Sequence, residues 1–344
     1  MICHNSKLFD ISLMNKVDKL GMYKIYDMWP KIASDAYVGK PMADYKNIDH
    51  IVFAGMGGSG AIGDLLSAIL SKTPMHVSSV KGYLLPKTVD SKTLVVTVSI
   101  SGNTVETLNV LNLARKTDCK LMAFTSGGMM EKVCKKNNTN LQKINMMHSP
   151  RASFIRYIYT ILYALDSVIP VKKESISESI KELTKISKQI NSSNLTGSNP
   201  ALSLAKWMSG VPLIYYPWGL QAAAVRFKSS LQENAKSHVI IEDVIEASHN
   251  GIVSWEKPAN VNPILLRGQD DYIKTKERWK IIKEYFGKNN IDYTEIKSVR
   301  GSILTKLICL IYLLDYASIY YAILNGTDPS PVNSIDFIKK SFKP

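Results

Sequence analysis

The chain is poor in the residues that build disulfide frameworks and metal sites. Its 344 residues include only four cysteines and six histidines. The cysteines form no C-x-x-C pair and show no metal-ligand spacing with the histidines; they are Cys3, Cys119, Cys134 and Cys309. The sequence therefore predicts reduced thiols, as in a cytoplasmic protein, with no resident metal and no cofactor.

Long apolar runs are also absent. The N-terminus lacks the apolar stretch of a signal peptide. The two most apolar segments, residues 154–171 and 303–324, each contain two charged side chains, which are Arg156, Asp166, Lys306 and Asp315. Neither segment offers the uninterrupted ~18–20 apolar residues of a membrane-spanning helix, so both are predicted to be buried core helices with no membrane partner.

Charge of one sign dominates, since 43 Lys and Arg face 29 Asp and Glu for a formal net charge of +14. A nucleic-acid partner is one explanation of such a charge, and attraction of an anionic substrate is another. The basic residues are scattered among acidic ones, and no block of five or six like charges occurs. A solvated, lysine-rich surface is therefore preferred, and no nucleic-acid partner is expected.

Strand and helix signals alternate along the chain. Short β-rich runs are predicted at residues 51–56, 76–80, 94–100, 121–125, 211–216, 263–266 and 292–296. Helical patterns are predicted at residues 61–71, 105–116, 149–169, 172–189, 221–236, 272–286 and 303–324. This alternation is typical of the α/β class, with two similarly built subdomains, each a mostly parallel sheet flanked by helices.

Local signals refine the helix boundaries and the domain division. Ser149 and Pro150 predict an N-cap and first helical residue, and Asn103 with Glu106 has the spacing of a capping box. The polar segment 191–200 is the best linker. The predicted division is an N-terminal helical extension at 1–48, a first subdomain at 49–170, a helical connector and linker at 171–200, and a second subdomain at 201–344.

Two small-residue loops each follow an apolar run and precede a helix. The first is Gly55-Met-Gly-Gly-Ser-Gly60, and the second is Ser99-Ile-Ser-Gly-Asn-Thr104. Backbone N–H groups at a helix start are unpaired, the helix dipole favours an anion, and hydroxyls add donors. Both loops are rich in hydroxyls or glycine and neither carries a lysine, which suits the phosphate of a small metabolite better than a nucleotide.

The first loop also satisfies the G-x-G-x-x-G pattern of dinucleotide-binding proteins. That pattern requires an acidic residue at the end of the next strand to bind the ribose hydroxyls. Here the segment after residues 76–80 reads Lys81-Gly82, without Asp or Glu. A dinucleotide-binding oxidoreductase is therefore the less favoured alternative.

Together these loops resemble the phosphosugar-binding loops of the sugar-isomerase (SIS) fold. Further matching segments are 149–152, Gln-Glu-Asn-Ala-Lys at 232–236, 246–250, 311–316 and 326–329. In this order they resemble the bifunctional phosphoglucose/phosphomannose isomerases of archaea and some bacteria. The resemblance extends from about residue 49 to the C-terminus, and the first ~45 residues show none.

The resemblance implies reversible, metal-independent isomerisation of glucose 6-phosphate, and of mannose 6-phosphate, with fructose 6-phosphate through a cis-enediolate. It implies that the phosphate is bound by Gly57, Gly58, Ser59, Ser99, Ser101 and Thr104. It implies that the catalytic residues are Arg151, Glu233, His249 and Lys306. The chemistry fits: a glutamate can carry a proton between carbons, an arginine can stabilise the enediolate, and a histidine can protonate the ring oxygen.

Simpler interpretations stay open for single residues. Glu233 could form a surface pair with Lys236, His249 could be a capping or core residue, and Lys306 could extend from an apolar helix to solvent. The loop hydroxyls could be helix caps, and a sensor or regulator could use the same fold for binding alone. The family's small hydroxyl residue that tolerates both C2 epimers has two candidates here, Ser298 and Ser302.

The resemblance also implies a homodimer in which His249 reaches the active site of the neighbouring subunit. The segment Ser248-His-Asn-Gly251 has turn-forming residues and could project across a two-fold interface.

Overall fold

The computed structural model describes residues 9–39 and 44–341. Nine β-strands occur in the described residues: β1 His50–Ala54, β2 His76–Val80, β3 Thr93–Ser99, β4 Lys120–Thr125, β5 Asn140–Lys143, β6 Val211–Tyr216, β7 Ile240–Asp243, β8 Val261–Arg267 and β9 Thr294–Lys297. They form a five-stranded sheet in the order β2-β1-β3-β4-β5 and a four-stranded sheet in the order β7-β6-β8-β9. Every strand pair is parallel, which confirms the predicted α/β class with two sheets.

Helices connect the strands. In the described part of the chain they are α1 Ile11–Val17, α2 Met22–Asp27, α3 Trp29–Ala36, α4 Gly58–Leu70, α5 Val105–Ala114, α6 Gly128–Lys136, α7 Phe154–Ala164, α8 Lys173–Ile190, α9 Pro200–Trp207, α10 Gln221–Ala235, α11 Val244–Ala247, α12 Ile273–Lys288, α13 Ile303–Leu324 and α14 Asn333–Ser341. Strand β3 is buried along all seven residues. Burial of every residue in turn is typical of a central parallel strand that is covered on both faces.

Tertiary contacts divide the chain into two compact units. The phosphate-loop unit, as we name it, contains Met28–Lys181 and Gly301–Thr305, including the five-stranded sheet. The second unit contains the described residues of Met1–Asp27, Glu182–Arg300 and Lys306–Lys343, with the four-stranded sheet. Chain segments thus alternate between the units, and the sequence-based division at residues 48, 170 and 200 stays a prediction.

Helix α13, with 22 residues, is long and apolar enough to cross a membrane, judged by its length and composition alone. Most of the helix is buried inside the protein, as predicted for a core helix. Tyr312 and Tyr316 on this helix donate to the backbone carbonyls of Tyr26 and Tyr23, at 2.7 and 3.2 Å. Each buried phenol oxygen therefore has a hydrogen-bond partner, which keeps its burial favourable.

The predicted helix start at Ser149 and Pro150 is wrong. Helix α7 begins at Phe154, with Ser153 as the flanking residue, and it ends at Ala164 rather than near residue 169. The Ser153 hydroxyl donates to the Ser149 carbonyl at 2.8 Å, and Ser153 Oγ accepts the Met147 N–H at 2.9 Å. The Ser149 carbonyl also accepts the Ser153 backbone N–H at 3.0 Å, and together these bonds hold residues 149–153 in turns before α7.

The predicted capping box is also wrong. The residue before α5 is Thr104, and Asn103 instead accepts the Met129 N–H at 2.9 Å. The Asn103 side chain therefore bonds to the start of α6 rather than to α5, where the spacing placed it.

The edge strands β5 and β7 were not predicted, because each has only four residues and mixed polarity.

Candidate active site

The first glycine-rich loop turns sharply from β1 into α4. Gly57 has a φ of +53°, a conformation that residues with a side chain rarely adopt, and it immediately precedes α4. A Cβ at Gly57 would meet no atom within 4 Å. The backbone at the start of α4 is therefore open on this side, where unpaired N–H groups can bind an anion.

The second loop is organised by a buried hydroxyl. Ser99 is fully buried; its Oγ donates to Thr104 Oγ1 at 3.0 Å and accepts the Gly102 N–H at 3.1 Å. Since Thr104 Oγ1 accepts this bond, its own proton can be donated elsewhere. Ser101 Oγ is half-buried and accepts the Asn103 N–H at 3.4 Å. Ser99 shapes the loop, whereas Ser101 and Thr104 are the hydroxyls that remain partly accessible.

The two loops lie side by side. Strands β1 and β3 are hydrogen-bonded neighbours, so both loops leave the carboxyl edge of the same sheet. The Ser59 hydroxyl oxygen accepts the Ile100 N–H at 3.3 Å, which joins the first loop to the second. Both loops therefore lie at one edge of the sheet, which is where ligands bind in parallel α/β sheets.

Arg151 lies next to the first loop. The backbone of Gly58 is so close to the turn before α7 that a Cβ there would lie 3.5 Å from both the N and the Cα of Arg151. Arg151 is 4% exposed. Turns before α7 rather than a helix thus bring a buried cation to the phosphate-loop edge.

Glu233 is located near the C-terminal end of α10, in the second unit. A buried polar network orients this helix against α13. Arg226 binds both carboxylate oxygens of Asp315, with its closest contact at 2.7 Å, and the Ser230 hydroxyl donates to Asp315 at 2.6 Å. One turn further, the Asn234 amide donates to Ser318 Oγ at 2.8 Å.

These α10 side chains are spaced by four residues, so they lie on one face of the helix. Their bonds fix the rotation of α10 and hence the direction of the adjacent, half-buried Glu233. The Arg226–Asp315 pair is almost fully buried, at 2% and 0% exposure. Burial of a charged pair is costly unless further hydrogen bonds support it, and here the hydroxyls of Tyr26 and Ser230 also donate to Asp315.

Lys236 ends α10 in a left-handed conformation, with φ of +57°. Its ammonium donates to the backbone carbonyls of Glu233, Asn234 and Asp328, at 2.9, 3.3 and 3.0 Å. A cation that binds the last carbonyls of a helix also interacts favourably with the helix dipole. Lys236 therefore acts as the C-terminal cap of α10, beside Glu233.

His249 and Lys306 also belong to the second unit. His249 is exposed in the turn after α11, and its backbone N–H donates to the Glu246 carbonyl at 2.9 Å. Lys306 is in the first turns of α13, and its Nζ lies 3.0 Å from Asp270 Oδ2. The phosphate loops and Arg151 thus share one unit, whereas Glu233, His249 and Lys306 share the other.

Comparison with known proteins identifies both parts of the chain. The SIS domain family matches residues 44–169. The family described as "Bacterial phospho-glucose isomerase C-terminal SIS domain" matches residues 197–342. A bifunctional phosphoglucose/phosphomannose isomerase of Caldicellulosiruptor bescii is 32% identical, over 92% of this chain and 96% of the relative. The chain belongs to this isomerase family.

Other similar proteins agree with the assignment. The bifunctional phosphoglucose/phosphomannose isomerase of Aquifex aeolicus is 28% identical over 94% of this chain and 96% of its own length. The solved C-terminal domain of glucosamine-fructose-6-phosphate aminotransferase from Francisella tularensis shares the fold, with a TM-score of 0.67 at 16% identity. That alignment covers 90% of this chain and 98% of the solved domain. The protein is therefore an enzyme of the isomerase class with the SIS fold.

Sequence reasoning missed two ion pairs of the isomerase, Arg226 with Asp315 and Lys306 with Asp270. Asp315 was noted only as a charge that interrupts an apolar segment. A carboxylate within a buried helix needs a partner, so this charge was a usable signal for a cation such as Arg226. Asp270, the partner of Lys306, lies in a polar loop and gave no signal of its own.

Proposed function

We propose that this isomerase interconverts glucose 6-phosphate and mannose 6-phosphate with fructose 6-phosphate, without a metal, through a cis-enediolate. Membership in the bifunctional family supports this reaction. The observation that carries it is the bond from the Ile100 N–H to Ser59 Oγ, because it joins two anion-binding loops at one sheet edge. A sugar phosphate is the substrate class that such a pair of loops suits.

The phosphate is bound by backbone N–H groups of Gly57 and Gly58 and by the hydroxyls of Ser59, Ser101 and Thr104. Ser99 supports this set indirectly, since its buried hydroxyl donates to Thr104 and thereby leaves the Thr104 proton for the phosphate. Binding energy from this remote group holds the sugar while the reacting carbons change.

Glu233 carries the proton that moves between the two carbons. From fructose 6-phosphate its carboxylate removes a proton at C1, which leaves an enediolate. The hydroxyl proton then passes from O1 to O2, and the protonated glutamic acid returns its proton to C2, so that the carbonyl group is now at C1 and the carboxylate is restored. Arg151 stabilises the enediolate oxygens, because a guanidinium keeps its proton at any working pH.

The cyclic sugar must open before isomerisation. His249 donates a proton to the ring oxygen, since an imidazole exchanges protons in the neutral range. Lys306 assists ring opening or orients a hydroxyl of the chain.

The decisive experiment compares wild-type enzyme with Glu233→Gln in a coupled assay of fructose 6-phosphate conversion, with a chelator present. We expect kcat to fall by about 10²–10⁴-fold while sugar-phosphate binding is retained. Tritium exchange from solvent into bound substrate should vanish as well. Glu284→Gln, which alters an exposed ion pair on α12, is the matched control and should keep full activity.

Other results would redirect the proposal. Retained tritium exchange in Glu233→Gln would move the base to another carboxylate, with Glu242 or Glu246 tested next. Loss of turnover on exhaustive chelation, restored by a divalent ion, would overturn the metal-independent mechanism.

We further propose a homodimer in which each His249 completes the neighbouring site. His249 is exposed, and so are the apolar side chains of Ile245 and Val253 on either side of it. These side chains are therefore accessible to a second subunit. A cytoplasmic enzyme without a membrane or nucleic-acid partner is part of the same proposal, in keeping with the dispersed charge.

Subunit exchange tests the shared site. Glu233→Gln and His249→Ala are mixed in equal amounts; half of the dimers are then mixed, and half of their sites are intact. Activity should return to about a quarter of the wild-type value. If mass spectrometry shows that subunits exchange and no activity returns, His249 acts within its own chain.

A further inference from the structure

Lys306 does not extend freely into solvent. Its side chain is 18% exposed, and its Nζ lies 3.0 Å from the Oδ2 of Asp270. Asp270 follows β8, at the carboxyl edge of the four-stranded sheet, whereas Lys306 is on α13 after β9. The ion pair therefore joins a loop at the ligand-binding edge of the sheet to a helix that carries a candidate catalytic residue.

The loop that carries Asp270 is held in place on its C-terminal side. The neighbouring carboxylate of Asp271 accepts the Gly268 N–H at 3.1 Å and the Trp279 indole N–H at 3.0 Å. Trp279 is fully buried in the core of the second unit. These bonds close a tight turn around Asp270 and attach it to the core.

The same loop is held on its N-terminal side by Ser298, a buried residue directly after β9. Its Oγ accepts the Gln269 N–H at 3.1 Å, and its own N–H donates to the Arg267 carbonyl at 2.8 Å. Ser298 is one of the two candidates for the hydroxyl residue that tolerates both C2 epimers. Its hydroxyl oxygen is already hydrogen-bonded to this loop. The backbone of Asp270 is therefore held in place from both sides, although its side chain is 55% exposed.

A lysine needs such a partner more than an arginine does. Its ammonium is a point charge at the end of four flexible methylenes, so packing alone does not define its position. One carboxylate contact fixes the ammonium and uses one of its three N–H donors, which leaves two for a substrate oxygen. Asp270 is suited to this use: the hydrogen bond from Lys306 lowers the pKa of its carboxyl, and Arg300 and Lys276 act in the same direction.

We propose that Asp270 is a positioning residue for Lys306, which it holds at the carboxyl edge of the second sheet in readiness for the sugar phosphate. The inference rests on the proposed function, because it takes Lys306 to act on that substrate. It adds a residue to the catalytic machinery that acts only through another side chain.

The test is a double-mutant cycle in the coupled fructose 6-phosphate assay, with Asp270→Asn, Lys306→Met and the double variant in the full-length enzyme. Asp270→Asn should lower kcat by about 10- to 100-fold and change KM less, because a misplaced catalytic group costs rate. Asp270→Glu should recover part of the loss, since it restores the charge. In the Lys306→Met background, Asp270→Asn should change kcat by no more than about twofold.

Glu277→Gln is the matched control, because it neutralises a carboxylate in an exposed ion pair with Lys274 at 2.8 Å and should keep wild-type kcat. Thermal melting of each variant reports whether it is folded. A full additional loss from Asp270→Asn in the Lys306→Met background would overturn the proposal, as would an unchanged kcat in Asp270→Asn when Lys306→Met is impaired.

Failure of the proposed function gives a different pattern. Wild-type enzyme would then not convert fructose 6-phosphate, or Lys306→Met would keep full activity. Either result removes the role of Lys306 and the positioning role of Asp270 with it.

Discussion

The two units hold their functional groups by opposite means. In the phosphate-loop unit, glycines and small hydroxyls bring backbone N–H groups to the carboxyl edge of the sheet; Ser59 connects the two loops, and Ser99 organises the second loop. In the second unit, long side chains are held by ionic contacts, chiefly Arg226 with Asp315 and Lys306 with Asp270. A group that only binds can be built from backbone, whereas groups that transfer protons must be side chains.

This difference predicts that the units fail in different ways when altered. Loss of a buried charge should damage the second unit most, because its partner is left uncompensated. Added bulk should damage the phosphate-loop unit at positions such as Gly102, where a Cβ would overlap the backbone of Gly127.

The largest effect is expected from Asp315→Asn. The change keeps the shape but removes the carboxylate charge that binds the almost fully buried Arg226. Breaking a buried ion pair in this way should lower the free energy of unfolding by about 3–5 kcal/mol, measured by urea denaturation. Asp336→Asn on the exposed helix α14 is the control and should have little effect. An unchanged midpoint in Asp315→Asn would contradict the view that this pair fixes α10.

A smaller but still large loss is expected from Gly102→Ala. Gly102 has a φ of +73°, and a Cβ there would lie 1.8 Å from the Gly127 carbonyl oxygen, so backbone must move. The strain and the overlap together should cost about 2–4 kcal/mol of unfolding free energy. Gly197→Ala is the matched control, because a Cβ at Gly197 would meet nothing within 4 Å. Equal stability of the two variants would show that the second loop tolerates bulk.

The smallest effect is expected from Thr104→Val, which removes one hydroxyl that we assign to the phosphate. KM for fructose 6-phosphate should rise by about fivefold to tenfold, equivalent to one hydrogen bond, with a smaller fall in kcat. Thr107→Val makes the same change one turn later in α5, where the buried hydroxyl has no hydrogen-bond partner in the described residues. This control should leave KM unchanged; a rise in both variants would point to a general disturbance of α5.

The sequence by itself determined the α/β class, the two sheets and the position of both small-residue loops. These features depend on local information: the apolar runs of β1 and β3, the periodicity of helices such as α5, and glycines and hydroxyls at helix starts. The simpler interpretation of the loop hydroxyls as helix caps also came from local rules. It failed for Thr104, whose side chain makes no cap bond to α5 and instead accepts from Ser99.

Only the tertiary structure decided how the functional side chains are held. The turns that place Arg151 against Gly58 replaced the helix start that Ser149 and Pro150 predicted, and Asn103 bonded to α6 rather than to its own helix. The partners of Asp315 and Lys306 lie 89 and 36 residues away in the chain, at Arg226 and Asp270. Pattern and propensity act over a few residues, whereas an ion pair depends on which distant segments pack together, and that is set only when the whole chain is folded.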